Sequence, residues 1–392
     1  MFNLKQHNTT VRTELIAGIT TFMAMAYILM VNADMFSALG DGYYNAVYIA
    51  TAISAVFGTL LIGLLANLPL AQASGMGLNA FFVFSVCIGM NFTYANALVM
   101  VLVDGIVFLI LTVTGLRRVI FDAIPKAVKA AIAPGIGLFI AFLGLQNSGI
   151  VVNSDSTLVD LHSFNLMFGH TTWAEIMPLL VTIFAIIAIA AMAKKKVKGA
   201  VFWGIIGGAV AYYALGLITI ENFYAEHVQG SLSLNIIQPF RDFFSLSFGK
   251  VFTEGFDFSA FIAANGAGSF VATFIATMLA FCMVDMFDTL GTLYGACAAG
   301  NMLTKDGNVP NMDKAMLADA IATCCGAVCG TSTVTTFVES SAGVAEGGRT
   351  GLASMATAAL FFIAMFLAPV AQLIPTYACA AALIYVGVLM MA

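Results

Sequence analysis

Three carboxylates lie where a lipid environment should forbid them. Asp285 and Asp288 fall inside FVATFIATMLAFCMVDMFDTLGTL, residues 270–293, and Glu339 inside TSTVTTFVESSAGVA, residues 331–345. A charged side chain at the centre of a bilayer costs about 2.5–3.5 kcal/mol on insertion scales. Such residues face protein-lined cavities and mark ion or substrate paths. Asp288 follows Asp285 by three positions, which puts both on roughly one helical face. An ionised carboxylate accepts from N–H groups, and a protonated one also donates. Burial, or a second carboxylate close by, favours the protonated form. Acids so placed can take a proton on one side of a membrane and release it on the other. The chain reads first as a membrane transporter with its working site near these three residues.

Composition sets the frame for that reading. Of 392 residues, 61% are hydrophobic and 9% are charged, against about 25% charged in a soluble domain. A polytopic helical membrane protein tolerates this balance. The seven cysteines, at 87, 282, 297, 324, 325, 329 and 379, fall in or beside apolar segments. They lack the paired CxxC or Cys/His spacing of a zinc site. No metal or cofactor is expected. The N-terminus, MFNLKQHNTTVRTEL, leads straight into an apolar span, so no cleavable signal is expected.

Twelve membrane segments are predicted, near 14–32, 46–66, 71–89, 95–115, 128–148, 173–193, 199–220, 263–290, 314–333, 334–345, 351–373 and 378–392. Two stretches, PLAQASGMGLNAFF (69–82) and 331–345, are short and rich in Gly, Ser and Thr. That suits partly unwound segments lining a cavity. With the N-terminus inside, Lys5, Arg12, Arg117, Arg118, Lys126, Lys129, Lys194, Lys195, Lys196, Lys198, Lys305, Lys314 and Arg349 are cytoplasmic, and only Arg241 and Lys250 lie outside. This is a strong positive-inside bias. The polar stretches 149–172 and 221–262 then become outer loops or short interfacial helices.

The chain also repeats itself. Ala52-Ile53 with Gly58 recurs as Ala320-Ile321 with Gly326, and at the same offset Gly75 faces Gly343. Ile124-Pro125 with Ala131 and Gly137 recurs as Ile374-Pro375 with Ala381 and Gly387. A first unit of seven spans forces the second into the opposite orientation, an inverted repeat whose broken segments meet at the binding site. Two spans follow the first Ile-Pro unit but none follows the 378–392 span, so the second repeat is expected to be two spans short, through truncation.

The segments TELIAGITTFMAMAYILMVN (13–32), ASGMGLNAFF (73–82), MVDMFDTLGTL (283–293) and TTFVESSAGVAEGGRTGL (335–352) resemble the AzgA-like guanine/hypoxanthine permeases of the nucleobase:cation symporter-2 superfamily. The resemblance runs from about residue 8 to the end of the chain. It implies an all-α polytopic membrane protein, an inverted repeat of seven plus seven spans with the last two missing here. It implies a core domain from 1–115 and 263–373. The gate domain would comprise 116–262, with the outer loops, and an incomplete 374–392. It further implies proton-coupled uptake of purine bases such as hypoxanthine, guanine or adenine by alternating access in the plasma membrane. By the same resemblance Asp285 matches the substrate-binding acid of the eighth span, Glu339 the acid of the tenth and Asn79 a polar residue of the third. Asp288 is a further candidate for substrate binding, proton relay or helix-end support, and Gly75, Val338 and Ser340 complete the expected substrate-binding set. Asp285 and Glu339 are the expected proton carriers.

The residues fit that substrate. A purine presents N–H donors and ring-nitrogen or carbonyl acceptors around a flat ring, which carboxylates can read. Phe81, Phe82 and Phe337 are candidates for stacking on it. An anion transporter, or a uracil or xanthine carrier of the same architecture, is the alternative. An anion carrier should present a basic residue at its centre, whereas this centre is acidic. An intramembrane enzyme is disfavoured because His7, His162, His170 and His227 lie outside the spans. GMGLNA lacks the Lys and preceding strand of a phosphate loop. The expected partners are a purine nucleobase, a proton, the lipid bilayer and a second copy of the chain in a homodimer, with no nucleic acid.

The basic-residue split fixes a topology that can be measured. A single cysteine introduced within 194–198 should resist an impermeant maleimide in intact cells and react after permeabilisation. Labelling in intact cells would reverse the orientation.

Overall fold

A computed structural model of the chain describes residues 2, 4–115, 125–164, 171–224, 235–305 and 308–391. Arg117, Arg118, Ile124, His170, His227 and Ala392 lie outside the described residues. In hydrocarbon every peptide group must be satisfied within the protein, so apolar runs of this kind become helices. Helices α1 (Val11–Met25), α2 (Tyr27–Ser37) and α3 (Tyr43–Leu61) lead into strand β1 (Gln72–Ser74), α4 (Met76–Ala80) and α5 (Tyr94–Thr114). Then come α6 (Lys126–Asn147), β2 (Val151–Ser154), β3 (Leu158–Leu161), α7 (Trp173–Lys194) and α8 (Ala200–Thr219). The second half holds α9 (Ile237–Asp242), α10 (Ala267–Ala299), α11 (Met312–Cys329), β4 (Val334–Thr336), α12 (Ser340–Ala345), α13 (Gly351–Ala364) and α14 (Thr376–Met391). Among the described residues seven helical stretches are long and apolar enough to cross a membrane, and three shorter apolar helices accompany them.

The chain divides into two compact units. Unit 1 comprises Met1–Ile132 and Ile236–Ala368, and unit 2 comprises Ala133–Asn235 and Pro369–Ala392. In unit 1, α11 packs on α3 and α5, α13 on α1 and α3, and α10 on α5 and α12. Glycines make these approaches close. A Cβ added at Gly18 would overlap Ala353 of α13, and one at Gly351 would overlap the Gly63 carbonyl. Small residues at such seams let membrane helices approach backbone to backbone. In unit 2, α14 packs on both α7 and α8. There Gly137 and Gly387 face each other, each so placed that a Cβ would stand 2.5 Å from the other's carbonyl oxygen.

Both halves of unit 1 follow one pattern of long helix, three-residue strand and short helix. Gly58 of α3 and Gly326 of α11 occupy matching positions three residues before their helix ends. After the helices the register slips. A π-helical turn, Ile62–Ala66, and the segment 67–71 lengthen the first link relative to the second. The residue just before α4 is Gly75 and the residue just before α12 is Glu339. Strands β1 and β4 start 262 positions apart (334 minus 72), and helices α4 and α12 start 264 apart (340 minus 76), so the constant offset that pairs Gly75 with Gly343 does not hold through the break. Two other expectations need revision. The helix that starts near 263–290 in the sequence reading continues as α10 to Ala299, 33 residues in all. The polar stretch after α6 forms an antiparallel hairpin, with Val151 opposite Leu161 and Ser154 opposite Leu158.

The Gly63–Gly351 contact predicts a sharp steric test. Gly351→Val should lower the melting temperature of the purified protein, because overpacking costs about 1–3 kcal/mol. Gly268→Ala, where an added Cβ meets nothing within 4 Å, should leave it unchanged or raise it slightly.

Candidate functional site

The two unwound segments of unit 1 satisfy each other. Strand β1 pairs antiparallel with β4, with Gln72 opposite Thr336, Ala73 opposite Thr335 and Ser74 opposite Val334. The ladder continues at both ends. Gly75 N–H donates to the Thr333 carbonyl at 3.0 Å and Phe337 N–H to the Ala71 carbonyl at 3.0 Å. Ala71 N–H donates to Ser340 Oγ at 3.0 Å, so the Ser340 hydroxyl closes the crossing. Every β1 and β4 residue is buried. From this crossing α4 and α12 depart, with Gly75 and Glu339 at their first caps.

Helix α10 brings its polar face to the crossing. Asp285, Asp288, Thr289 and Thr292 recur at the three- and four-residue spacing that lines one side of a helix. Asp285 is fully buried. Asp288 is half-buried, and its Oδ2 accepts from Thr335 Oγ1 of β4 at 3.1 Å. Gly75 completes this cluster, since a Cβ there would stand 3.2 Å from Thr335 Oγ1 and 3.6 Å from Asp288 Oδ2. A side chain at position 75 would occupy the space in front of Asp288.

The remaining candidates take separate places around the crossing. Glu339 accepts from the phenol of Tyr27 at 2.6 Å. Asn79, fully buried in α4, accepts from the Ser332 hydroxyl and donates to the Ser74 carbonyl at 3.4 Å. Val338 projects from the segment with 56% of its surface exposed. Phe82 is fully buried and packs on Phe36 and Tyr94 with centroids 5.2 and 5.8 Å away. Phe81 packs edge-on against Phe281 at 5.0 Å. Those two rings are engaged in aromatic packing inside unit 1. The structure thus joins Asp288 and Gly75 through Thr335, joins Asn79 to Ser332, and joins Glu339 to Tyr27.

Several buried polar residues escaped the sequence reading. Asp319 of α11 accepts from Thr289 Oγ1 at 2.9 Å through each of its oxygens. Its Oδ1 also accepts from Gln72 Nε2 at 3.2 Å. Gln72 in turn donates to Thr336 Oγ1 at 3.2 Å, so Asp319 is tied to both α10 and the crossing. Glu14 of α1 accepts from the N–H groups of Arg349, Thr350 and Ala353 at 2.9, 3.3 and 3.2 Å. It thereby caps the start of α13, whose first N–H groups have no helical partners. Asp104 is fully buried in α5. Each gave the same signal as Asp285, an acid inside an apolar helix. Tyr27 gave none, because tyrosine is ordinary in a membrane helix.

Comparisons with known proteins bear on this arrangement. A family profile described as the Permease family, Xan_ur_permease, matches residues 12–392. A putative permease of Methanocaldococcus jannaschii is 41% identical over the whole of this chain and 81% of its own length. The guanine/hypoxanthine permease PbuO of Bacillus subtilis is 36% identical over the whole chain and 83% of its own length. The adenine permease AdeP of Escherichia coli is 35% identical over the whole chain and 79% of its own length. Among solved structures, the transmembrane domain of the cyanobacterial bicarbonate transporter BicA superimposes with a TM-score of 0.66 at 15% identity, covering 97% of this chain and 88% of that one. That likeness shows a shared inverted-repeat transporter fold. The chain is a multi-pass membrane protein that belongs to the nucleobase:cation symporter permeases, and it is a transporter rather than an enzyme.

Proposed function

We propose that this protein carries purine nucleobases inward in symport with protons, by alternating access across the plasma membrane with its N-terminus in the cytoplasm. The observation that carries the proposal is that Asp288, Glu339 and Asn79 stand in separate places around the β1–β4 crossing, with Asp285 one turn from Asp288 on α10. A carboxylate can accept from the N–H groups of a purine, and a protonated acid or an amide can donate to its ring acceptors. The names of the 35–36% identical relatives, guanine/hypoxanthine and adenine permeases, support the same substrate class. Unit 1 is the substrate-carrying core in this reading and unit 2 the gate. Gly75 leaves room in front of Asp288, while Val338 and Ser340 flank Glu339. Asp285 and Glu339 carry the proton.

Fold alone admits an anion as cargo, since BicA shares it. An acid-rich crossing repels anions, so the purine reading is preferred. Competition of unlabelled hypoxanthine, guanine, adenine, xanthine, uracil and bicarbonate against labelled hypoxanthine uptake tests it. Purines should compete and bicarbonate should not. Collapse of the proton gradient by an uncoupler should stop accumulation. Persistence of accumulation without the gradient would remove the coupling claim.

The acids give a second test. Asp285→Asn and Glu339→Gln keep shape and remove charge. A lost hydrogen bond to a charged group costs about 1.5–3 kcal/mol, roughly 10- to 150-fold in affinity. Uptake should fall more than tenfold in each variant while the protein still reaches the membrane. Normal uptake and pH dependence in both would remove these residues from the site.

A further inference from the structure

We infer that Tyr27 is a positioning residue for Glu339, holding one carboxylate oxygen so that the other meets the substrate. The inference rests on Glu339 being a site acid, as proposed above. Tyr27 stands near the start of α2, where α1 and α2 join through Ala26 into one apolar stretch, and it is fully buried. Its Oη reaches Glu339 Oε1 at 2.6 Å, across 312 positions of sequence. That distance is that of a short hydroxyl–carboxyl hydrogen bond.

Other tyrosines of the protein are used differently. Tyr48 donates to the Ala364 carbonyl at 3.0 Å, Tyr213 to the Leu373 carbonyl at 2.8 Å, and Tyr94 to the Gly330 carbonyl. Those bonds tie main chain together within their own units. Tyr27 instead spends its proton on a titratable side chain at the first cap of α12. A carboxylate with one oxygen held has a single orientation, and pre-orienting a binding group saves ordering entropy when substrate arrives. The phenol can also reverse roles. A tyrosine hydroxyl both donates and accepts, so when Glu339 takes a proton it can donate back to Tyr27 Oη. The pair then stays bonded in both protonation states while the proton passes to and from water through Glu339.

Removing the donor leaves both carboxylate oxygens free to turn, so binding weakens more than turnover. The test is labelled hypoxanthine uptake over a range of substrate concentrations in cells producing the wild type, Tyr27→Phe, Glu339→Asp or Glu339→Gln, normalised to protein in the membrane. Tyr27→Phe should raise KM about tenfold, with the maximal rate changed less. Glu339→Asp retracts the carboxylate from the phenol and should raise KM in the same way. It decides the matter if Tyr27→Phe fails to fold. An inactive Glu339→Gln beside wild-type KM in the other two variants would overturn the role of Tyr27 alone. An active Glu339→Gln would overturn the site reading and this inference with it.

Discussion

Unpaired backbone is what a membrane interior tolerates least. Each peptide group left without a partner in hydrocarbon costs several kcal/mol. This chain unwinds twice within unit 1, and the antiparallel pairing of Gln72–Ser74 with Val334–Thr336 answers both breaks at once. Neither strand could be paired without the other. The crossing thus holds the two repeats together and fixes where α4 and α12 begin. It also fixes which side chains surround the point of exit. Thr335 reaches Asp288 because β4 runs beside α10, and Gly75 is open because β1 ends there.

The buried acids of unit 1 divide by what surrounds them. Glu14 is consumed by three N–H groups at the start of α13 and reads as a structural cap. Asp319 is held by Thr289 and Gln72 and fastens α10 to the crossing. Asp288 and Glu339 each receive a hydroxyl and remain only half-buried. That combination suits groups which must exchange a partner for a ligand. The difference lies in packing and hydrogen bonding, so residue type and spacing alone cannot express it.

Much of this was legible in the chain itself. The Gly/Ser/Thr-rich breaks at 69–82 and 331–345 stood out because unwound backbone needs small polar residues. The α10 stripe was visible as two aspartates three apart in an apolar run. The internal duplication was also readable, though its register was not. A π-turn and a longer link shift the first repeat after Leu61, and apolar sequence gives no marker for such an insertion. The hairpin at 151–161 was read as loop because its strands are only four residues each. Tyr27 was invisible for a different reason. Its importance comes from a partner 312 residues away, and only the folded chain brings the two together.

The facing pair Gly137 and Gly387 carries a consequence of its own. At an ordinary helix contact, growth of one side chain can be relieved by shrinkage of its neighbour. Here neither partner has a side chain to lose, and each backbone stands against the other's carbonyl. A change at either position can be absorbed only by parting the helices along their length, which loosens every contact on that seam. The seam between α6 and α14 is thus closed to the pairwise compensation by which most interfaces drift. Its history should be all or nothing, with both glycines kept or the whole helix pair rebuilt.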